Sequence, residues 1–151
     1  MIDDTRTNVE IPFIEDWMRP GYCAGYATRA VEKLFGLKYN KADAWDLRYK
    51  NDVLWPKDSN GDYSEYLKLG CLIGMFFPRS SYLDEHDSKD HERKYTHIAV
   101  FVGFDHEGHP MILHNFRGDV RQELLSDFFR RRILYGYGTN LSLSNRIEIL
   151  S

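Results

Sequence analysis

The stretch His97-Ile98-Ala99-Val100-Phe101-Val102-Gly103-Phe104 constrains this chain more than any other. It is rich in β-branched and aromatic residues and far shorter than the roughly 20 apolar residues a membrane crossing takes, so it reads as a strand. The turn Asp105-His106-Glu107-Gly108-His109-Pro110 follows, and Met111-Ile112-Leu113-His114-Asn115-Phe116 reads as the returning strand of a hairpin. Upstream, Leu72-Ile73-Gly74-Met75-Phe76-Phe77 is a short apolar run stopped by Pro78, as a buried strand would be.

The first half is mainly helical. Arg19-Pro20-Gly21 is a turn signal, after which Ala27, Ala30, Val31 and Leu34 recur at helical spacing until Gly36, predicting a helix over Cys23 to Phe35. A second helix is expected from about Lys41 to Tyr49, with Ala42, Trp45 and Tyr49 on one face, and Trp55-Pro56 and Asn60-Gly61-Asp62 mark a long loop. Beyond the hairpin, Leu124, Leu125, Phe128 and Phe129 predict a helix over Gln122 to Arg132. Ile133 to Tyr137 and Arg146 to Leu150 read as closing strands. Helices followed by a small antiparallel sheet make an α+β domain, and 151 residues fit one domain spanning 1–151.

A chain that is 42% hydrophobic and 28% charged has the apolar mass to fold unaided. Its net charge of -3 argues against a dedicated nucleic-acid binder, which needs a basic surface. With no long apolar stretch, membrane insertion is not expected. The acidic, polar opening Met1-Ile2-Asp3-Asp4-Thr5-Arg6 does not look like a secretory signal, so synthesis in the cytoplasm is expected.

Two cysteines do not make a disulfide framework here, and their contexts differ. Cys71 sits inside an apolar run and reads as inert core. Cys23 opens the first helix, where unpaired backbone N–H groups and the helix dipole favour a thiolate. A cysteine nucleophile needs a base, usually a neutral imidazole, and that base needs a polar partner to fix its tautomer. Of six histidines, His86, His91, His106 and His109 fall in polar loops or turns, whereas His97 and His114 lie at strand ends. A hairpin brings the start of its first strand beside the end of its second, so His97 can meet His114 or Asn115, with Asp119 a further candidate because the turn leaves the register open.

These residues resemble the papain-like NlpC/P60 and CHAP cysteine peptidases and amidases that cut bacterial cell-wall peptides. Tyr22-Cys23-Ala24-Gly25-Tyr26 looks like the family's nucleophile motif, and Ala42-Asp43-Ala44-Trp45 looks like a stretch that follows it in CHAP members. Leu69 to Phe76 resembles the strand where the family writes glycine, aspartate and then apolar residues, with Cys71 replacing the aspartate. Thr96-His97 leading a hydrophobic strand is similar to the base motif, and Ile112-Leu113-His114-Asn115 to the third-residue strand. The resemblance spans roughly Tyr22 to Asn115. It implies a papain-like fold, Cys23 as nucleophile, His97 as base, His114 as orienter with Asn115 as the alternative, and no metal or organic cofactor. It further implies an oxyanion site made by the Cys23 N–H and an upstream donor such as Tyr22 or Trp17.

The resulting expectation is a hydrolase of an amide bond in peptidoglycan, delivered by a phage virion, a lysis system or a secretion system that supplies the targeting. A different class of reading is a non-catalytic adaptor, for example a virion component on the same fold, using its aromatic-rich surface as an interface. A zinc site drawn from His86, His91, His97 or His114 lacks an ordered ligand spacing. The charged insertion Ser80 to Tyr95 reads as a surface loop rather than a lid, and Arg130-Arg131-Arg132 as a solvated helix end whose cations complement the dipole.

Overall fold

The computed structural model describes residues 9–56, 59, 62–76, 97–134 and 147–151. The insertion Ser80 to Tyr95, with His86 and His91, lies outside them, as do residues 135–137 of one expected strand. The described elements are a 3-10 turn Glu15–Trp17, α1 Cys23–Phe35, α2 Ala44–Lys50, β1 Val53–Trp55, a 3-10 turn Tyr63–Tyr66, β2 Leu72–Met75, β3 His97–Phe104, β4 Pro110–Phe116, β5 Asp119–Leu124, α3 Leu125–Leu134 and β6 Ile147–Leu150.

The strands form one six-stranded sheet in the order β1-β6-β2-β3-β4-β5, every neighbouring pair antiparallel. The molecule is thus an α+β protein. Alternation along the strands sorts side chains to two faces. Ile98, Val100, Val102 and Leu113 pack with Ala24, Tyr26, Ala27, Ala30 and Val31 of α1. Ala99, Phe101, Ile112, Ile73 and Ile149 pack on the other face with Leu125, Phe128 and Phe129 of α3. The sheet therefore has a helix on each side, where the sequence led us to expect N-terminal helices packed on a sheet.

α1 carries small residues on its buried stripe, which lets the helix lie close on β3 and β4. It ends at Gly36, whose left-handed backbone (φ 70°) lets its N–H reach Glu32 O. The direction of α1 along the sheet is fixed at both ends. Near its C-terminus, a Cβ on Gly70 would meet Phe35 and Val31, and the Gly70 N–H donates to Phe101 O at 3.0 Å. Near its N-terminus, Asn115 at the end of β4 donates to Trp17 O and Arg19 O at 3.0 and 2.9 Å. Cys23 consequently lies at the end of the sheet where β3 begins and β4 finishes.

Four expectations need correction. The helix expected from Gln122 begins at Leu125, and the preceding residues form β5, which pairs with β4 from Met111↔Leu124 to Phe116↔Asp119. The two-residue link Arg117-Gly118 makes this hairpin: both have positive φ (56° and 88°), as a type I′ turn requires. Ile133 and Leu134, expected in a strand, close α3. Trp55, expected to open a long loop, instead closes the edge strand Val53–Trp55, which pairs with β6. In α2, Leu47 is buried and Tyr49 is exposed, while the Trp45 side chain of the expected face lies outside those described.

Candidate functional site

The β3–β4 register pairs Val100 with Leu113 and Phe101 with Ile112. Carried back along β3, it sets His97 opposite Phe116 and Ala99 opposite His114, so the two histidines are diagonal neighbours on one face. Their rings meet edge-on with centroids 5.0 Å apart, and His97 Nε2 lies 2.7 Å from His114 Nδ1. Phe116 and Phe128 enclose them: Phe128 is 5.2 Å from His97 and 4.7 Å from His114, centroid to centroid. His97 is 3% exposed and His114 is fully buried.

The hydrogen-bond chain extends beyond the two residues foreseen. His114 Nε2 lies 2.6 Å from Oε2 of Glu123, on the neighbouring strand β5. The Glu123 carboxylate accepts two bonds from Arg131 of α3, at 2.6 Å (Nη1 to Oε1) and 3.0 Å (Nη2 to Oε2). Burial works to raise the Glu123 carboxyl, but hydrogen bonds from Arg131 and His114 outweigh it and hold it down to about 2. Burial pushes the His114 imidazole the other way for its type, below the ordinary histidine value, with the Glu123 hydrogen bond acting against that fall. The site therefore holds an ionised carboxylate, a neutral His114, and His97 at its outer end.

Neither Glu123 nor Arg131 was singled out from sequence. Reading Gln122 to Arg132 as helix hid Glu123 inside it, and Arg131 passed as one of three cations at a helix end. The signal that could have found Glu123 is the alternation Asp119, Arg121, Glu123 against Val120, Gln122, Leu124 after the Arg117-Gly118 turn.

Asn115, the alternative third residue, belongs elsewhere. One position from His114, it faces the α1 side of the sheet, where its Nδ2 serves Trp17 O and Arg19 O and its Oδ1 accepts from Gly118 N at 2.9 Å. All its amide hydrogen-bonding groups are used in holding the segment that leads into Cys23. Asp119 also stands apart from His97: it is exposed at the start of β5 and ion-pairs with Arg121.

Cys23 is half-buried at the first position of α1. The N-cap Tyr22 makes no side-chain capping bond, so α1 begins without a side-chain acceptor from that position. Of the two upstream residues considered for an oxyanion site, Trp17 stacks its ring edge-on to Tyr22 at 5.2 Å and lies under the Arg29 guanidinium at 3.6 Å. Alternation puts His97 on the α3 face of the sheet, whereas α1, which Cys23 opens, covers the other face. Cys71 is buried, and that burial pushes its thiol up to about 12.

Among the described residues, no three His, Cys, Asp or Glu side chains form a group able to hold a metal ion, and no helix is long and apolar enough to cross a membrane. Comparison of the chain with protein-family models, curated proteins and solved structures finds no match.

Proposed function

We propose that this protein is a papain-like cysteine hydrolase of the NlpC/P60 or CHAP kind that cleaves an amide bond in peptidoglycan. The observation that carries this reading is the buried 2.7 Å contact between His97 and His114 at the end of the sheet where α1 begins with Cys23. His97 engages His114 through Nε2, so Nδ1 is the ring nitrogen that serves the thiol. The N-terminal N–H groups and dipole of a 13-residue helix favour an anion at Cys23.

In this mechanism the Cys23 thiol gives its proton to His97 Nδ1 and the sulfur attacks the amide carbonyl carbon. As the C–N bond breaks, His97 returns that proton to the departing amine, leaving a thioester on Cys23. Water then adds to the thioester carbonyl, its proton passes through His97 to the leaving sulfur, and a carboxylic acid is released with the thiol restored. Backbone N–H groups at the start of α1 stabilise the oxyanion in both steps. A virion, lysis or secretion assembly would bring the domain to the wall.

The test is digestion of purified peptidoglycan by the wild-type protein, Cys23→Ala and His97→Ala, with soluble fragments identified by mass spectrometry. Fragments from wild type alone are expected, and they name the bond cut. A folded wild-type protein that releases no more than Cys23→Ala would overturn the reading in favour of a non-catalytic adaptor.

A further inference from the structure

With His114 neutral, as its full burial favours, hydrogen-bond direction along the buried chain has one consistent solution. Arg131 can only donate, and it donates to both oxygens of Glu123, so Glu123 is a pure acceptor. His114 must then present N–H at Nε2, 2.6 Å from Glu123 Oε2. A neutral His114 with its proton on Nε2 has a lone pair at Nδ1. His97 must therefore donate from Nε2 across the 2.7 Å contact, and a neutral His97 so protonated keeps its own lone pair on Nδ1. We infer that Glu123, held by Arg131, is a positioning residue that fixes the tautomer of His114 and through it leaves the basic lone pair of His97 on Nδ1, the nitrogen that serves Cys23. This role rests on the cysteine-hydrolase reading, whereas the tautomers themselves can be observed whether or not the protein turns anything over.

Three features support such fixed wiring. The four residues come from β3, β4, β5 and α3, so the chain is built across four elements and is not a local accident of one turn. Phe116 and Phe128 wall it off, and the two histidines have almost no contact with water that could offer alternative partners. The terminal cation is itself half-buried and bidentate, a geometry that orients a carboxylate as well as neutralising it.

The substitution that separates wiring from mere packing is Glu123→Gln. Its carbonyl oxygen would turn to the two Arg131 donors, presenting the amide N–H₂ to His114. That forces the proton of His114 onto Nδ1, reverses the His97 contact, and puts the His97 proton on Nδ1, where it cannot accept from a thiol. Long-range ¹H–¹⁵N spectra of the uniformly labelled protein read the tautomers directly. The expected result for wild type is Nε2–H on both rings, and for Glu123→Gln it is Nδ1–H on both, with kcat on peptidoglycan reduced at least about 100-fold and KM little changed. A wild-type His114 protonated on Nδ1 would overturn the inference without need of any variant. So would a folded Glu123→Gln protein that keeps the wild-type tautomers. Expected tautomers in a wild-type protein without turnover would instead overturn the hydrolase reading on which the role depends.

Discussion

A fully enclosed imidazole resists a second proton, because the cation loses its hydration while the neutral ring does not. His114 is in that position, and its pKa in the fold lies below the ordinary histidine value. As pH falls through about 6.5, the unfolded chain takes up a proton at this residue that the folded one refuses, so stability is lost on the acid side of that value. Glu123 acts in the same direction lower down: with its carboxyl held at about 2 against an unfolded value of 4.5, its contribution is present above 4.5 and is lost as pH falls toward 2. Urea midpoints measured from pH 8 to pH 3 should therefore decline below about pH 6.5 and again below 4.5. His114→Gln should flatten the first decline, and Glu123→Gln the second. Parallel curves for all three proteins would remove both assignments. These two residues also divide what the sequence discloses. His114 was legible because it stands in an apolar strand where a polar ring demands explanation. Glu123 was not, because a glutamate among Arg121, Gln122 and Leu124 looks like any polar surface until β5 is paired to β4.

Among the elements, α1 and β3 have the bounds that their sequences predict, Cys23–Phe35 and His97–Phe104. Their apolar periodicity is strong and is terminated by Gly36 in one case and by a polar turn in the other. β5 escaped notice because half its side chains face water or the ion pairs of the site, and the apolar spacing of α3 appeared to run back through it. The 3-10 turn before α1 depends on a contact that no periodicity reports. Gly25 has no side chain because the Trp17 indole lies there: a Cβ at Gly25 would fall 2.1 Å from Trp17 Cε3. Arg29, one helical turn on, covers the indole at 3.6 Å and donates to Gly25 O. Gly25→Ala should displace Trp17 and cost about 1–3 kcal/mol of stability, the range for overpacking a filled site. It should also slow alkylation of Cys23, since the segment from Trp17 to Tyr22 sets the approach to the helix start. Thermal unfolding and timed iodoacetamide labelling check the two effects. An unchanged melting temperature would mean that the indole can move aside freely.

Across the whole molecule, residues far apart in the chain share the centre of the sheet. β6 lies between β1 and β2, pairing Leu72 with Leu150 and Met75 with Ile147, whereas β3, β4 and β5 follow one another with short links. Contacts across such sequence distances require a large loop to close before they return any stabilisation, and they tend to form late in folding. Ile149, fully buried on the α3 face, tests this. Ile149→Ala should destabilise by about 2–5 kcal/mol, with the loss appearing in the unfolding rate and a φ value near 0, whereas Val100→Ala in β3 should slow folding. A φ value near 1 at Ile149 would mean that β6 docks early. Late docking has a consequence during synthesis. The four residues of the buried relay emerge from the ribosome within one short stretch and can assemble as a meander with α3, while β2 keeps one edge unsatisfied until β6 has been translated. A nascent chain would thus hold its wired histidines before it holds a closed sheet, and the open edge of β2 is where a chaperone would find it.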